Sequence, residues 1–98
     1  MNQRSYQDAG LVGIDGEQIT KGRAHLWSKT NSAGLMEWGG TLTPEAAGLL
    51  RVTPRPGRLR LEDREYFILI TDVTTLGRTG HAGGSIVVFS GEGDSPEI

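Results

Sequence analysis

The chain has 98 residues with a formal net charge of −2, and a chain of this length forms one domain with little room for a deep internal pocket. It contains no cysteine, which excludes disulfide bonds, thiolate metal ligands and a cysteine nucleophile, and favours a cytoplasmic location. The longest apolar run, Tyr66–Ile70, is far too short to cross a membrane.

The first part of the chain predicts a polar tail followed by two pairs of β-strands. Residues 1–9 are mostly polar and predict a tail that precedes a domain spanning 10–91. Short segments on either side of Asp15-Gly16 predict a hairpin, because this dipeptide is typical of tight turns. Residues 21–27 then alternate between polar and small or apolar side chains, and 35–42 provide a partner strand after a polar turn.

The strongest signal in the sequence is a hairpin over 58–72. Its first half alternates charged and apolar residues, and its second half is rich in aromatic and β-branched residues. Only Asp63-Arg64 separates the halves, which predicts a two-residue turn with Arg64 at positive φ, or a slightly longer loop. Upstream, 43–48 permits at most one helical turn, capped by Thr43, and a connecting turn is the favoured interpretation. Residues 49–53 predict a further strand.

The last predicted strand is 84–90, and residues 92–98 predict an acidic, disordered tail. Six or seven short strands, fifteen glycines and no β–helix–β rhythm predict an all-β fold, either a small antiparallel β-barrel or a compact sandwich. Glycines inside the predicted strands fit tight bends at the corners of a barrel, where a side chain would collide; they are Gly22, Gly39 and Gly40.

A group of arginines is the first candidate binding face. Alternation places Arg58 and Arg60 on the outer face of one strand, where planar guanidinium groups suit phosphates. The alternative is a solvated sheet face on which nearby acids such as Glu65 pair with these cations. The complete group, within fourteen residues, is Arg51, Arg55, Arg58, Arg60 and Arg64.

The two tryptophans have different predicted environments. Alternation places Trp27 on the outer face beside Arg23 and His25, as a stacking platform or an interface anchor. A one-residue bulge would instead turn Trp27 into the core. Trp38 shares its parity with Met36 and is predicted to be a core residue.

A glycine-rich loop over 77–84 is a candidate anion site, with Arg78, Gly80 and His81 as its candidate binding residues. The loop joins two predicted strands, however, whereas a phosphate-binding loop follows a strand and opens a helix. A mobile hairpin loop is therefore the favoured interpretation.

Two short motifs resemble those of cyclic-di-GMP-binding PilZ domains, which are small β-barrels. Arg51-Val-Thr-Pro-Arg55 is similar to their Arg-x3-Arg motif, and 72–77, Asp-Val-Thr-Thr-Leu-Gly, is similar to the later Asp/Asn-x-Ser-x-x-Gly. The resemblance implies a cyclic dinucleotide as ligand. It departs from the family at Thr74, which replaces the serine, and because most predicted strands precede the second motif.

No constellation of residues predicts catalysis. Neither His25 nor His81 has metal-ligand spacing around it, and no serine has a recognisable order of catalytic partners. We therefore expect no metal, no cofactor and no enzyme activity. The expected function is a protein-interaction or oligomerisation module acting through an outer sheet face or an exposed edge strand, with homo-oligomerisation through the same surface as a close variant. The alternative is nucleic-acid or nucleotide binding on the arginine-bearing face.

Overall fold

The computed structural model describes residues 1–45, 53–76 and 84–98, and over these ranges the chain is all-β, without a helix. The strands close into an antiparallel barrel in the order β1-β2-β3-β6-β5-β4, with β4 pairing back to β1. The predicted antiparallel barrel is thus confirmed, although several strands are longer than expected. Their bounds are β1 Asn2–Gly13, β2 Gln18–Thr30, β3 Met36–Pro44, β4 Arg55–Leu61, β5 Arg64–Leu76 and β6 Gly84–Gly91.

Alternation along the strands builds the core inside this barrel. On β2, for example, Ala24 and Leu26 are fully buried while His25 between them is exposed. Trp38 is only 4% exposed and packs edge-on against the rings of Tyr66 and Phe89, as a core residue should. The buried cluster consists of Ala9, Leu11, Ala24, Leu26, Trp38, Leu42, Leu59, Leu61, Ile68, Ile70, Val87 and Phe89.

The hairpin of β4 and β5 forms as predicted, but its turn lies one residue earlier. Leu61 pairs with Arg64, so the turn is Glu62-Asp63 and the positive φ, 58°, falls on Glu62. Both registers keep the same side chains inside the barrel, so burial alone does not choose between them. In the observed register Arg60 faces Glu65, whereas a turn at Asp63-Arg64 would have placed Glu62 opposite Glu65, a destabilising pair of like charges.

Two further predictions for the first half of the chain are wrong. Residues 1–9 are not a tail: Asn2 to Tyr6 pair in register with β2, and β1 continues to Gly13. Their polar side chains are compatible with a strand because most of them face solvent. The helical turn does not begin at Thr43 either, because Thr43 and Pro44 pair with β2 as the end of β3. The remainder of that segment, and most of the predicted strand over 49–53, lies outside the described residues.

The C-terminal segment 92–98 has no strand, yet it is held against one end of the barrel instead of being a free tail. The indole N–H of Trp38 donates to the carbonyl of Gly93 at 3.3 Å, and the Tyr6 hydroxyl donates to the carbonyl of Glu97 at 2.7 Å. Pro96 is buried, and Ile98 packs against the core cluster. The acidic composition suggested disorder, but these hydrogen bonds and apolar contacts order the segment. Burial raises the pKa of the Tyr6 hydroxyl above its ordinary value.

Closure of the barrel determines which surfaces remain available. Each of the six described strands has a neighbouring strand on both sides, so none of them is an edge strand along its whole length. Closure is the means by which β-proteins remove edges that could pair with other chains. The outer face of the barrel is therefore the main surface on which a partner can bind.

Candidate binding surfaces

Two outer surfaces of the barrel differ in chemistry. The "β5 face" consists of the outward side chains of β4 and β5 together with Ile14, which follows β1. The "β2 face" consists of the outward side chains of β2. Because β2 and β5 are three strands apart in a ring of six, the two faces lie on opposite sides of the barrel.

On the β5 face, the two central arginines of the predicted binding group share one carboxylate. Arg58 Nη1 lies 3.1 Å from Glu65 Oε1, and Arg60 Nη2 lies 2.8 Å from Glu65 Oε2. Arg60 Nε donates to the same Oε2 at 3.1 Å, so two N–H groups of Arg60 bind one carboxylate oxygen. Hydrogen bonds from Arg60 and then Arg58 hold the pKa of the Glu65 carboxyl below its ordinary value. The trio carries a net charge of only +1.

Arg58 is held by further contacts within the protein. Its Nη2 donates to the carbonyl of Ile14 at 2.7 Å, and its guanidinium carbon lies 5.9 Å from the centre of the Phe67 ring. Its Nε is buried without a hydrogen-bond partner. Val12, which faces Arg58 across the strand pair, is fully buried. Arg58 therefore acts as part of the packing on this side of the barrel, with little freedom to bind an outside anion.

The other predicted arginines do not join this pair. Arg55 begins β4 and Arg64 begins β5, so they lie at opposite ends of the hairpin, and within the described residues neither forms an ion pair. Arg51 and the loop residues Arg78, Gly80 and His81 lie outside the described residues.

In the second PilZ-like motif, the Asp72 side chain already forms hydrogen bonds with its neighbours in the chain. Asp72 Oδ1 accepts from the backbone N–H of Val73 at 2.9 Å, and its Oδ2 accepts from the hydroxyl of Thr74 at 3.4 Å. Asp72 follows an irregularity in the pairing of β5 with β6. These bonds fit a carboxylate that stabilises a β-bulge.

A set of exposed apolar side chains on the β5 face was not predicted. Phe67 is 60% exposed and Leu69 is 36% exposed, on successive outward positions of β5. Pro56 pairs with Leu69, and Ile14, 51% exposed, lines a shallow cleft with Pro56. The signal was present in the sequence: an unbroken apolar run within an antiparallel hairpin must place alternate apolar residues outside.

On the β2 face, Trp27 lies outward and is half-buried. Its indole covers Gly39 of β3, where a Cβ would lie only 2.9 Å from Trp27 Cζ2. The ammonium of Lys29 lies 5.6 Å from the centre of the Trp27 ring. The absence of a side chain at Gly39 thus allows the indole to lie against the sheet.

His25, two residues before Trp27, is fixed by side chains of β1. Its Nε2 lies 3.1 Å from Gln3 Oε1, and its Nδ1 lies 3.0 Å from the hydroxyl of Ser5. Because Gln3 Oε1 can only accept, Nε2 is the donor in the first of these hydrogen bonds, and Nδ1 and the Ser5 hydroxyl share the second. The sequence could not reveal this cluster, because it depends on the register of β1 against β2.

The cations of the β2 face have few partners. Lys21 and Lys29 each lie 3.9 Å from a carboxylate oxygen, of Glu45 and Glu37 respectively, which is the outer limit of an ion pair. Arg23 has no ion pair within the described part of the chain. The β2 strand itself contains no acidic residue, so every acid near these cations comes from a neighbouring strand or turn.

No protein-family model matches the chain, and neither a curated protein nor a solved structure shows significant similarity to it. The resemblance to PilZ motifs therefore has no support from a family match. Among the described residues no three metal-ligating side chains come together. The same part of the chain holds no helix of the length and apolarity that crossing a bilayer requires.

Proposed function

We propose that this protein is a non-enzymatic, cytoplasmic binding module whose β5 face is covered by a second copy of the chain. The observation that carries the proposal is the pair of exposed apolar side chains, Phe67 and Leu69, on adjacent outward positions of one strand. Contiguous apolar surface of this kind commonly marks a protein-binding site. The lack of cysteine is compatible with a reducing compartment.

The charges on the β5 face support an apolar contact. Arg58 and Arg60 are already paired with Glu65, so burial of the face does not leave these three groups without partners. A buried charge without a partner would cost several kilocalories per mole. The face therefore resembles the centre of an interface, where apolar and arginine side chains are enriched and free charges are depleted.

The rim of the same face favours self-association over an unrelated partner. The cleft beside Ile14 and Pro56 is lined by the cation Arg55 and by the acids Asp15 and Glu17. In a twofold contact each patch meets its own copy, so a rim with both signs of charge can pair with itself. A partner of a single strong charge would find only half of this rim complementary.

Nucleotide binding on the arginine-bearing face has less support. Glu65 occupies the positions at Arg58 and Arg60 that a phosphate would need. Asp72 and Thr74, which the PilZ-like motif contributes, bond to each other and to the backbone.

Sedimentation velocity over a concentration series tests the proposal. The wild-type chain should form a dimer, and the double substitution Phe67→Ser with Leu69→Ser should weaken it by about tenfold or more, because central apolar contacts carry most of the energy of an interface. The matched control is Leu35→Ser, an apolar residue 66% exposed in the turn between β2 and β3, which should leave the dimer unchanged. A wild-type chain that stays monomeric, or equal losses in all variants, would overturn the proposal.

A further inference from the structure

The β2 face presents a continuous row of basic and aromatic groups on the side of the barrel away from Phe67. Inward positions of β2 hold small or apolar residues, and every second residue points outward. Successive outward positions are about 6.6 Å apart along a strand. In chain order the outward residues are Lys21, Arg23, His25, Trp27 and Lys29.

The strands beside this row add polar groups but little negative charge near its middle. Thr43 and Thr41 of β3 face Arg23 and His25, and Gly39 faces Trp27. On the β1 side, Ser5 faces His25 and Gln3 faces Trp27. The paired acids, Glu45 and Glu37, lie only at the two ends of the row. On the β1 side, the irregularity between Tyr6 and Ala9 leaves Gln7 and the exposed Asp8 opposite Arg23. The register partners of His25 and Trp27 carry no acid on either side, and hydrogen-bonding side chains flank these two rings.

Two rings on this face are held in place before any ligand arrives. The Trp27 indole lies over Gly39, and His25 is fixed by Gln3 and Ser5. A fixed aromatic surface is a stacking platform, and cations alongside it can follow an anionic backbone. An acidic peptide would use the cations but would have little use for the rings, whereas an unpaired base would use both.

We propose that the β2 face binds single-stranded nucleic acid, with phosphates near Arg23 and the two lysines and a base stacked on Trp27. Stacking of this kind tolerates any sequence, because every base has an aromatic face. Duplex DNA should bind less well, since its bases are already stacked and are not free to cover the indole.

Fluorescence anisotropy with a labelled oligothymidylate, at several salt concentrations, tests this assignment. Trp27→Ala should weaken binding by about fivefold or more, and Trp27→Phe should largely retain it, because a phenyl ring still stacks. Arg23→Gln should reduce the slope of log affinity against log salt by about 0.7, the value for one phosphate contact on a single strand. The matched control is Arg64→Gln, which makes the same change in net charge at an exposed residue that begins β5.

Several results would overturn the proposal. They are no binding of the oligonucleotide at low salt, equal losses from Arg23→Gln and Arg64→Gln, an affinity unchanged by Trp27→Ala, a duplex that binds as tightly as the single strand, or equally effective competition by polyphosphate or polyglutamate. Thermal unfolding of each variant checks that it is folded. The Phe67→Ser, Leu69→Ser double variant should bind the oligonucleotide as the wild type does, so this assignment and the proposed self-association can fail independently.

Discussion

The same alternation of inward and outward side chains builds the β5 face and the β2 face. The two faces differ in the chemistry of the exposed groups that have no partner within the protein. On the β5 face, one carboxylate neutralises most of the charge of two arginines, and the groups left without partners are apolar. On the β2 face the acids that form ion pairs lie at the ends of the row, and Arg23 forms no ion pair within the described residues. Both surfaces carry basic residues, so their number does not distinguish them. The difference is that Glu65 lies in register to pair with the arginines of the β5 face.

This difference explains why a cluster of arginines in the sequence was a poor guide to a binding face. Cross-strand pairing placed Glu65 opposite Arg60 and diagonal to Arg58. Arg23 stands opposite Thr43 on β3 and opposite the irregularity at Gln7 and Asp8 on β1, and within the described residues it forms no ion pair. A cation on a sheet is available to a ligand only when its cross-strand neighbours do not already bind it. Substitutions on each face can test the contrast.

The largest effect is expected at Gly39, beneath Trp27. In Gly39→Ala the new Cβ would lie 2.8 Å from the carbonyl oxygen of Phe89 and 2.9 Å from Trp27 Cζ2, so the backbone or the indole must move. We expect a loss of about 1–3 kcal/mol in the free energy of unfolding, as for other overpacked sites. Urea denaturation measures the loss, and weaker oligonucleotide binding should accompany it.

The control for that substitution is Gly10→Ala, on the outer side of β1 next to β4. Its new Cβ would lie 3.5 Å from Arg60 Cβ, an ordinary contact, so stability should change by less than about 0.5 kcal/mol. If both variants are equally stable, the indole is not held by the shape of Gly39, and the description of the stacking platform is wrong.

A smaller difference is expected between the carboxylates of the two faces. Glu65→Gln removes the charge that two partly buried arginines share, and should cost about 1 kcal/mol. Glu37→Gln removes a partner that lies 3.9 Å from Lys29 at an exposed site, and should cost less than about 0.5 kcal/mol. Urea midpoints of both variants, at one pH and one salt concentration, measure the difference. Equal costs would contradict the conclusion that only the β5 face has its charged groups closely paired within the protein.

The sequence predicted the barrel and its main hairpin because period-2 alternation and turn residues are local signals. The exact turn at Glu62-Asp63 was also encoded, in the match of Arg60 to Glu65, but this required comparing registers instead of reading one strand. The ordered structure of residues 1–9 and 92–98 could not be predicted from composition. It depends on pairing with β2 and on bonds from Tyr6 and Trp38, which lie far away in the chain.

The candidate surfaces were predicted less completely than the fold. Alternation identified Trp27 as an outward residue, and the sequence named Glu65 as a neutralising partner for the arginines. The contact of Trp27 with Gly39 and the bonds of His25 to β1 arise from strands that are distant in sequence, so they need the structure.

The smallest expected effect is a pH dependence confined to the β5 face. Since its arginine partners lower the pKa of Glu65 from an ordinary value of 4.5 in the unfolded chain, the folded state binds the proton less readily. This contribution to stability is therefore complete above pH 4.5 and is lost as the pH falls below 4.5 through the pKa of the folded state. The difference in unfolding free energy between wild type and Glu65→Gln should shrink as urea denaturation is repeated at lower pH. A Glu65→Gln difference that stays constant down to the lowest pH at which both proteins fold would show that the arginines of the β5 face do not depend on this charge.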